Sequence, residues 1–270
     1  MASSVASRLL RDQIKPAIKS LIYPLYEKRL LRQLDRTQTP HHVGVILDGN
    51  RRWAERNFAA KAKVGHTAGG KKIQEFLGWC EDLDINVVTL YMLSIDNLAK
   101  RGGDELADLL DVIGDVATDM AETRRWPLQL VGDRAGLPAE LLARIEAAEA
   151  ATAHIEGLHV NLAVGYGGRK EIADAMRQIL RKHSEAGTSI DDLVELLDPD
   201  LITEHLYTGG QPDPDLIIRT SGEQRLSGFL LWQSSNSELY FEEALWPDFR
   251  RVDFLRALRA FARRHRRFGA

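Results

Sequence analysis

The twelve residues from His42 to Trp53 constrain this chain more than any other stretch. They open with an apolar run, His42–Leu47, of the kind found in strands that are buried on both faces of a parallel sheet. A polar cluster follows at once: Asp48, Gly49, Asn50, Arg51 and Arg52. Ligands bind open α/β sheets at the carboxyl ends of their strands. The cluster therefore predicts a ligand site, although Asp-Gly is also a common turn and Arg-Arg-Trp could begin an ordinary exposed helix.

The residue types in this cluster favour a phosphate ester as the ligand. The planar guanidinium group of arginine matches phosphate oxygens in pairs. Mg²⁺ is usually held by one or two carboxylates and by the phosphates of a substrate. A single carboxylate, Asp48, next to Arg51 and Arg52 therefore suits a phosphate ester bound together with Mg²⁺.

Strand-like and helix-like patterns alternate along the rest of the chain. Short apolar runs predict strands at residues 42–47, 86–94, 127–133, 159–164, 215–219 and 229–232. Amphipathic patterns between them predict helices at residues 65–83, 104–124, 138–153, 169–183 and 252–264. We therefore expect an α/β fold, with one catalytic domain over residues 41–270 whose mostly parallel central sheet is flanked by helices.

Residues 1–40 predict a separate N-terminal extension, a basic amphipathic helix interrupted near Pro16 and Pro24. This segment has eight Lys and Arg against three Asp and Glu, and residues 249–270 have eight against one, although the whole chain carries a net charge of −3. Two basic ends on an acidic body indicate anionic partners. The extension could lie on an anionic membrane surface, or it could pack on its own domain or a partner subunit.

The composition excludes several classes of protein. The single cysteine, Cys80, cannot form an internal disulfide, so we expect a reducing, cytoplasmic compartment. No apolar run is long enough to predict a membrane span, and no signal-peptide pattern opens the sequence. Neither zinc-ligand spacing nor a serine–histidine–carboxylate arrangement is evident, and no base-reading motif supports a nucleic-acid partner.

Other polar groups also fall at strand ends or helix starts. Ser94, Asp96 and Asn97 follow the second predicted strand, and Gly165–Gly168 follows the fourth. His66 lies between glycines at the predicted start of a helix, where backbone amides attract anions, although a lone histidine is more often structural. Agreement among several strand ends favours one phosphate site at this edge of the sheet.

Two further patterns have ordinary explanations. The apolar face of the predicted helix 104–124 could line an apolar channel, but most such faces belong to the core. Asp191 and Asp192 resemble the aspartate-rich metal motif of trans-prenyl synthases. Ser189 is a natural N-cap, however, and acidic residues are favoured in a first helical turn, so we assign this motif to a helix start.

The polar motifs together resemble the cis-prenyltransferases of the undecaprenyl diphosphate synthase family. The matching residues, which cover roughly residues 41–269 in consistent order, are Asp48–Trp53, Gly65-His66, Ser94–Asn97, Gly165–Arg169, Asp215–Arg219, Arg225–Trp232 and Glu238. The run from Gly222 to Gln233 is most similar to the short-chain actinobacterial members that make Z-farnesyl diphosphate.

The resemblance implies a role for each matching residue. Asp48 would bind Mg²⁺, and Glu238 would complete the metal site, either from the same subunit or from its partner. The allylic diphosphate would contact Gly49, Asn50, Arg51, Arg52, Trp53 and His66. Isopentenyl diphosphate would contact Arg219, Arg225, Leu226 and Ser227. Asn97 would assist proton removal, next to Ser94, Ile95, Asp96, Leu98 and Lys100. Arg267-Phe268-Gly269 would reach across a homodimer.

The sequence departs from the family pattern at several positions. Ala62 replaces an arginine, so Lys61 or Lys63 could substitute for it, and Leu98 replaces a tryptophan. Lys100 stands where the family has an arginine, and Gln224 where long-chain members have a histidine. Lysine lacks the bidentate geometry of arginine, so the choice of primer is affected more than the reaction class.

We therefore expect Mg²⁺-dependent condensation of isopentenyl diphosphate with geranyl or dimethylallyl diphosphate. The resemblance implies that the product tail grows beside Met92, where long-chain relatives have a smaller residue, which predicts a short product such as Z-farnesyl diphosphate. Three alternatives remain open: a long-chain polyprenyl diphosphate synthase, an enzyme that couples two allylic diphosphates into an irregular terpene, and a non-catalytic subunit of a heteromeric prenyltransferase.

Overall fold

The structure is a computed structural model, and it describes residues 23–58, 61–100 and 102–264. The chain divides into two compact units. One comprises residues 40–249, and the other comprises the described parts of residues 1–39 and 250–270.

A six-stranded sheet forms the centre of the larger unit. Its strands, in chain order, are β1 (His42–Ile46), β2 (Val87–Ser94), β3 (Leu128–Val131), β4 (His159–Tyr166), β5 (Leu216–Arg219) and β6 (Glu238–Phe241). They lie in the order β3-β4-β2-β1-β5-β6, and all five pairings between neighbouring strands are parallel. The expected α/β fold with a mostly parallel sheet is confirmed.

Helices connect the strands from β1 to β5, as is usual for parallel pairing, whereas turns and a short 3-10 helix (Gln233–Asn236) connect β5 to β6. In the larger unit the α-helices are α2 (Asn50–Phe58), α3 (Ala62–Glu81), α4 (Ile95–Lys100), α5 (Gly103–Thr123), α6 (Ala139–Thr152), α7 (Gly168–Glu185), α8 (Ile190–Leu196) and α9 (Pro199–Glu204). Helix α8 begins as the sequence predicts, because the Ser189 side chain accepts a hydrogen bond from the Asp192 backbone N–H.

The register of the sheet brings three polar strand ends to one edge. Ile46, the last residue of β1, is level with Tyr91 of β2 on one side and with Arg219 of β5 on the other. Because these strands are parallel, the residues that follow Ile46 lie beside the carboxyl end of β5 and the last residues of β2.

The predicted strand at residues 229–232 is wrong, because these residues form turns. Phe229 and Leu230 are fully buried in a cluster with Ile46, Tyr91 and Ile217, which explains the apolar run. Leu230 has a φ of 45°, which is incompatible with a strand. A short apolar run does not distinguish a buried turn from a buried strand.

The described part of the smaller unit contains two α-helical segments, α1 (residues 23–33) and α10 (Arg251–Arg263), and a 3-10 helix at Arg36–Gln38. Arg250 donates to Tyr23 Oη at 2.6 Å, and the Arg251 side chain lies 3.4 Å from Glu27 Oε1. The prediction for residues 1–22 and the Arg267-Phe268-Gly269 element lie outside the described residues. Within the described residues, no helix combines the length and apolar character needed to cross a bilayer.

Candidate active site

Asp48 lies at the centre of a charged cluster beyond the end of β1. Its Oδ2 atom accepts a hydrogen bond from Arg219 Nη2 at 2.8 Å, and its Oδ1 atom lies 3.3 Å from Arg52 Nη2. Arg219 is almost completely buried, whereas Asp48 and Arg52 are partly exposed. The fold thus places one carboxylate between two guanidinium groups from different elements.

The surroundings of Asp48 favour its ionised form. Burial on its own would raise the pKa of this carboxyl group. Hydrogen bonds from Arg219 and Ser221, together with the positive charges of Arg219 and Arg52, outweigh burial and lower the pKa below its usual value. Asp48 is therefore an anion at neutral pH.

Hydrogen bonds to the Thr220 side chain fix the main chain of Asp48. Thr220 Oγ1 accepts a hydrogen bond from the Asp48 backbone N–H at 3.0 Å and donates to the Asp48 carbonyl oxygen at 2.8 Å. Ser221 Oγ accepts from Arg52 Nη2 at 2.7 Å. The loop after β5 therefore positions both Asp48 and one of its arginines.

This loop also presents the residues predicted to hold isopentenyl diphosphate. Arg219 Nη1 donates to Ser227 Oγ at 3.0 Å and to the Arg225 carbonyl oxygen. Arg225 forms an ion pair with Glu223. Ser221 and Ser227 have φ values of 83° and 52°, a strained conformation for residues other than glycine. Such strain tends to persist where the surroundings and a function require a fixed geometry.

Gly49 and the first turn of α2 form the other side of the charged cluster. Gly49 has a φ of 107°, and a Cβ atom there would lie 2.8 Å from Leu245 Cδ2, so both conformation and space require glycine. Asn50, Arg51 and Arg52 follow in the first turn of α2, where backbone N–H groups and the helix dipole favour an anion.

His66 lies on the cavity wall, but not at a helix start as we expected. Helix α3 begins at Ala62, so His66 is in its second turn. The glycines serve packing instead: a Cβ atom at Gly65 would lie 2.0 Å from the Asn50 carbonyl oxygen, and one at Gly69 would lie 2.4 Å from Asn50 Oδ1. Glycine at these positions lets α3 approach α2 closely enough to bring the buried His66 to the cavity.

The end of β2 contributes a third polar group of residues. The Ser94 hydroxyl accepts a hydrogen bond from the Asn97 backbone N–H at 3.1 Å and so begins α4. The Asp96 and Lys100 side chains are largely exposed and 3.8 Å apart. These four residues and Ile95 line the same cavity as Asp48.

The cavity has a volume of about 1180 Å³ and combines a charged mouth with an apolar interior. Its charged wall includes Asp48, Arg51, Arg52, Arg169, Arg219 and Arg225, and its apolar wall includes Ile73, Met92, Leu109, Val112, Ile113 and Val116. Helix α5 therefore supplies a channel wall as well as core residues. An anionic head group and an apolar tail could both be bound here.

Four predicted site residues lie outside this wall. Trp53 instead donates through Nε1 to Asp248 Oδ1 at 2.8 Å, and Leu226 packs against the apolar cluster around Phe229. Leu98 is half-buried on α4. Glu238 pairs with Leu216, three positions before Arg219, so it lies about 10 Å from the Asp48 edge along its strand.

The structure also locates the two lysines proposed to replace the missing arginine at Ala62. Lys63 Nζ lies 3.0 Å from Asp108 Oδ1 on α5, and this pairing raises the pKa of the ammonium group. Lys61 is exposed just before α3. Neither lysine is among the residues of the described chain that line the cavity.

Our sequence reasoning missed several wall residues. Arg169 and Lys170 lie in the first turn of α7, at the carboxyl end of β4; the Gly165–Arg169 motif was recognised, but neither side chain was assigned to the site. Tyr91 and Trp246 also line the cavity; Tyr91 belongs to the apolar run predicted as the second strand, and no sequence pattern singled out Trp246. Burial raises the pKa of Tyr91 to about 12, so its phenol stays neutral.

The donor set fits a metal that is shared with a substrate. No cluster of three or more His, Cys, Asp or Glu side chains able to hold a metal occurs within the described ranges. Asp48 offers an ionised carboxylate at the charged mouth, and a carboxylate has lone pairs beyond those used by its two arginines. One carboxylate plus substrate phosphates is a usual environment for Mg²⁺.

Comparisons with known proteins agree with this geometry. The family described as "Putative undecaprenyl diphosphate synthase" matches residues 46–269. Isoprenyl transferase 1 of Streptomyces avermitilis is 53% identical over 96% of this chain and 99% of its own length. The (2Z,6E)-farnesyl diphosphate synthase of Mycolicibacterium smegmatis is 50% identical over 96% of this chain and 99% of its own length.

A solved structure shares the fold. The crystal structure of lavandulyl diphosphate synthase from Lavandula x intermedia, in complex with dimethylallyl diphosphate, superposes with a TM-score of 0.78. It is 34% identical in sequence, and the match covers 85% of this chain and 98% of that one.

Proposed function

Because this chain belongs to the undecaprenyl diphosphate synthase family, we propose that it condenses isopentenyl diphosphate with geranyl or dimethylallyl diphosphate. The chain is a prenyltransferase, a cis-isoprenyl diphosphate synthase, and its product is a short Z-prenyl diphosphate such as Z-farnesyl diphosphate. One observation carries the proposal: Asp48 lies between Arg52 and Arg219 at the mouth of a cavity whose interior is apolar.

The two diphosphates occupy opposite sides of Asp48. Arg51, Arg52 and the first turn of α2 bind the diphosphate of the allylic substrate, on the side where His66 lines the wall. Arg219, Arg225 and Ser227 bind the diphosphate of isopentenyl diphosphate on the other side. The arginines on the allylic side also stabilise the charge that builds up on the departing diphosphate.

Asp48 would hold Mg²⁺, because its carboxylate is ionised and lines the cavity. When bound, Mg²⁺ supplies further positive charge against the leaving diphosphate. Arg52 and Arg219, which contact Asp48, also line the cavity that receives the diphosphates.

The apolar interior takes the prenyl tail and excludes water from the allylic carbon. Met92 and the α5 residues Leu109, Val112 and Val116 form its wall. The double bond of isopentenyl diphosphate attacks that carbon, and loss of a proton completes the new double bond. Asn97, on the wall next to Ser94, assists the proton loss.

We assign a homodimer to the active enzyme. Glu238 lies on β6, an edge strand of the sheet, away from Asp48 of its own chain. If Glu238 takes part in a metal site, it therefore does so in the site of the partner subunit, so that each chain of the dimer completes the site of the other.

The remaining assignments concern location and domain limits. We propose a cytoplasmic enzyme with a catalytic domain over residues 41–270. Residues 1–40 form an extension whose positive charge attracts the inner face of the cell membrane, at about 1 kcal/mol for each well-placed Lys or Arg.

The test is product chromatography with radiolabelled isopentenyl diphosphate. The purified chain should convert geranyl diphosphate or dimethylallyl diphosphate into a short Z-prenyl diphosphate in the presence of Mg²⁺, and excess EDTA should abolish the reaction. Undecaprenyl-length product would contradict the short-chain assignment. Product from dimethylallyl diphosphate alone would instead identify an irregular coupling enzyme, and complete inactivity would indicate a non-catalytic subunit.

A further inference from the structure

The segment Glu242–Asp248, which we call the bracing segment, makes hydrogen bonds to several separate parts of the active site. At its start it contacts the loop after β5. The Ser221 N–H donates to the Ala244 carbonyl oxygen at 2.8 Å, and the Gly222 N–H donates to the Glu242 carbonyl oxygen at 2.9 Å. The bracing segment thus fixes the loop that carries Ser221, a partner of Arg52.

Trp246 connects two further parts of the site. Its backbone N–H donates to the Asp48 carbonyl oxygen at 3.0 Å. Its indole Nε1 donates to the Gly69 carbonyl oxygen on α3 at 2.9 Å. The side chain is fully buried and lies on the cavity wall, where it stacks on Phe249. One residue therefore joins the Asp48 loop to the helix that carries His66.

The two residues that flank this contact extend it to α2. Leu245 packs so closely on Gly49 that a Cβ atom at Gly49 would lie 3.1 Å from the Leu245 Cα atom. Asp248 Oδ1 accepts a hydrogen bond from Trp53 Nε1 at 2.8 Å. Trp53 is one turn along α2 from Asn50, so its contact with Asp248 fixes the helix start that faces the cavity.

We propose that Trp246 is a positioning residue that sets the distance between the Asp48 loop and α3. This inference rests on the proposed function, because Asp48 and His66 belong to the site that receives the allylic diphosphate. Trp246 acts through the Asp48 carbonyl oxygen and Gly69, and not by binding a diphosphate. Its loss should therefore disturb the alignment of the reacting atoms more than the binding of the substrates.

The test compares two buried tryptophans that each donate one hydrogen bond to a part of α3. Trp246→Phe removes the bond to Gly69 but keeps the aromatic ring and the backbone bond to Asp48. Trp126→Phe is the matched control, because the fully buried Trp126 donates to Glu81 Oε1 at 2.7 Å and lies outside the cavity wall.

We expect both variants to lower Tm by similar amounts, but only Trp246→Phe to change catalysis. Its kcat should fall by about 10- to 100-fold, with KM for both substrates within about twofold of wild type. Equal kcat values for the two variants would overturn the proposal. If the wild-type chain shows no condensation at all, the proposed function fails instead.

A second pair of variants does not depend on the buried indole of Trp246. Asp248→Asn keeps an oxygen that can accept from Trp53, whereas Asp248→Ala removes it. The asparagine variant should retain the wild-type kcat, and the alanine variant should reduce it with little change in KM. Equal kcat values for these two variants would show that the bracing segment does not position α2.

Discussion

Asp48 Oδ2 and Arg219 Nη2 lie 2.8 Å apart, although the two residues are 171 positions apart in the chain. Their contact depends on the parallel pairing of β1 with β5, in which Ile46 is level with Arg219. A shift of one residue in this register would turn Arg219 to the other face of the sheet. The charged centre of the site is therefore built by strand pairing and not by a local motif.

This contact predicts what Asp48→Ala does to activity and stability. Turnover should fall to background, because the variant lacks the carboxylate that contacts both arginines and that, under the proposed function, would hold Mg²⁺. Arg219 is only 5% exposed, so removal of its acidic partner leaves a buried charge. The partial exposure of Asp48 reduces this cost, and we expect the free energy of unfolding to fall by about 1–2 kcal/mol.

Thermal unfolding and product chromatography check both parts of this prediction. Asp96→Ala serves as the control for stability, because the Asp96 side chain is 82% exposed and should leave Tm nearly unchanged. Inorganic pyrophosphate should raise the Tm of Asp48→Ala by supplying a new anionic partner for Arg219. Near wild-type turnover in Asp48→Ala would show that Asp48 has no role in the mechanism.

Met92→Ala should lengthen the product. The half-buried Met92 side chain lies on the apolar wall of the cavity, and truncation to alanine removes three heavy atoms from this wall. Because the wall is closely packed, it relaxes little, and the channel becomes longer. We expect longer prenyl chains, resolved by chromatography of radiolabelled products with isopentenyl diphosphate in excess. Met120→Ala is the control, because Met120 is fully buried on α5 and outside the wall. Identical product profiles for wild type and Met92→Ala would exclude Met92 as the limit on growth.

The sequence could predict the fold and the edge of the sheet that carries the site, because both follow from local patterns. A strand that is buried on both faces of a parallel sheet is an apolar run in the sequence. Polar residues directly after β1, β2 and β5 therefore lie at the same edge of the sheet. The strand-end pattern placed Asp48 and Arg52 at this edge, whereas the family resemblance assigned Arg219 to the site. In the structure both arginines lie within 3.3 Å of Asp48.

The sequence could not predict contacts that depend on how separate elements pack. Nothing in the local pattern places Trp246 against Gly69, or Trp53 against Asp248 and away from the cavity. The glycines around His66 suggested a helix start, whereas their role is the close approach of α3 to Asn50. Such distances follow from the packing of whole helices, which periodicity alone does not determine.

Stability should depend on pH through His42. Its ring is buried, with Nδ1 2.7 Å from the Pro212 carbonyl oxygen and Nε2 2.8 Å from Thr89 Oγ1. Burial lowers the pKa of His42 from 6.5 to about 4, despite the opposing effects of the hydrogen bond to Pro212 and the charge of Asp215. Between these values the unfolded chain binds a proton that the folded chain does not, so stability falls as pH decreases from 6.5 towards 4.

The expected loss from His42 is about 3 kcal/mol over this range. Urea denaturation at pH 7 and pH 5 measures the part of this loss that falls above pH 5, about 2 kcal/mol, as the difference in the free energy of unfolding. His42→Gln should show a smaller loss than wild type, whereas the same change at the exposed His154 should not. Equal pH dependence in wild type and His42→Gln would show that His42 is not the group responsible.

Glu238 provides a test of the dimer that uses two inactive variants. Glu238 lies three strand positions from the level of Arg219, on the edge strand β6, so we expect it to serve the site of the partner subunit. Asp48→Ala and Glu238→Ala homodimers should each have little activity. When the two chains are coexpressed, each mixed dimer contains one site with both residues intact. About half of the dimers are mixed, so about a quarter of the wild-type activity should return.

Two preparations purified separately and kept from exchanging subunits serve as the control. If coexpression restores no activity, Glu238 does not act across the interface.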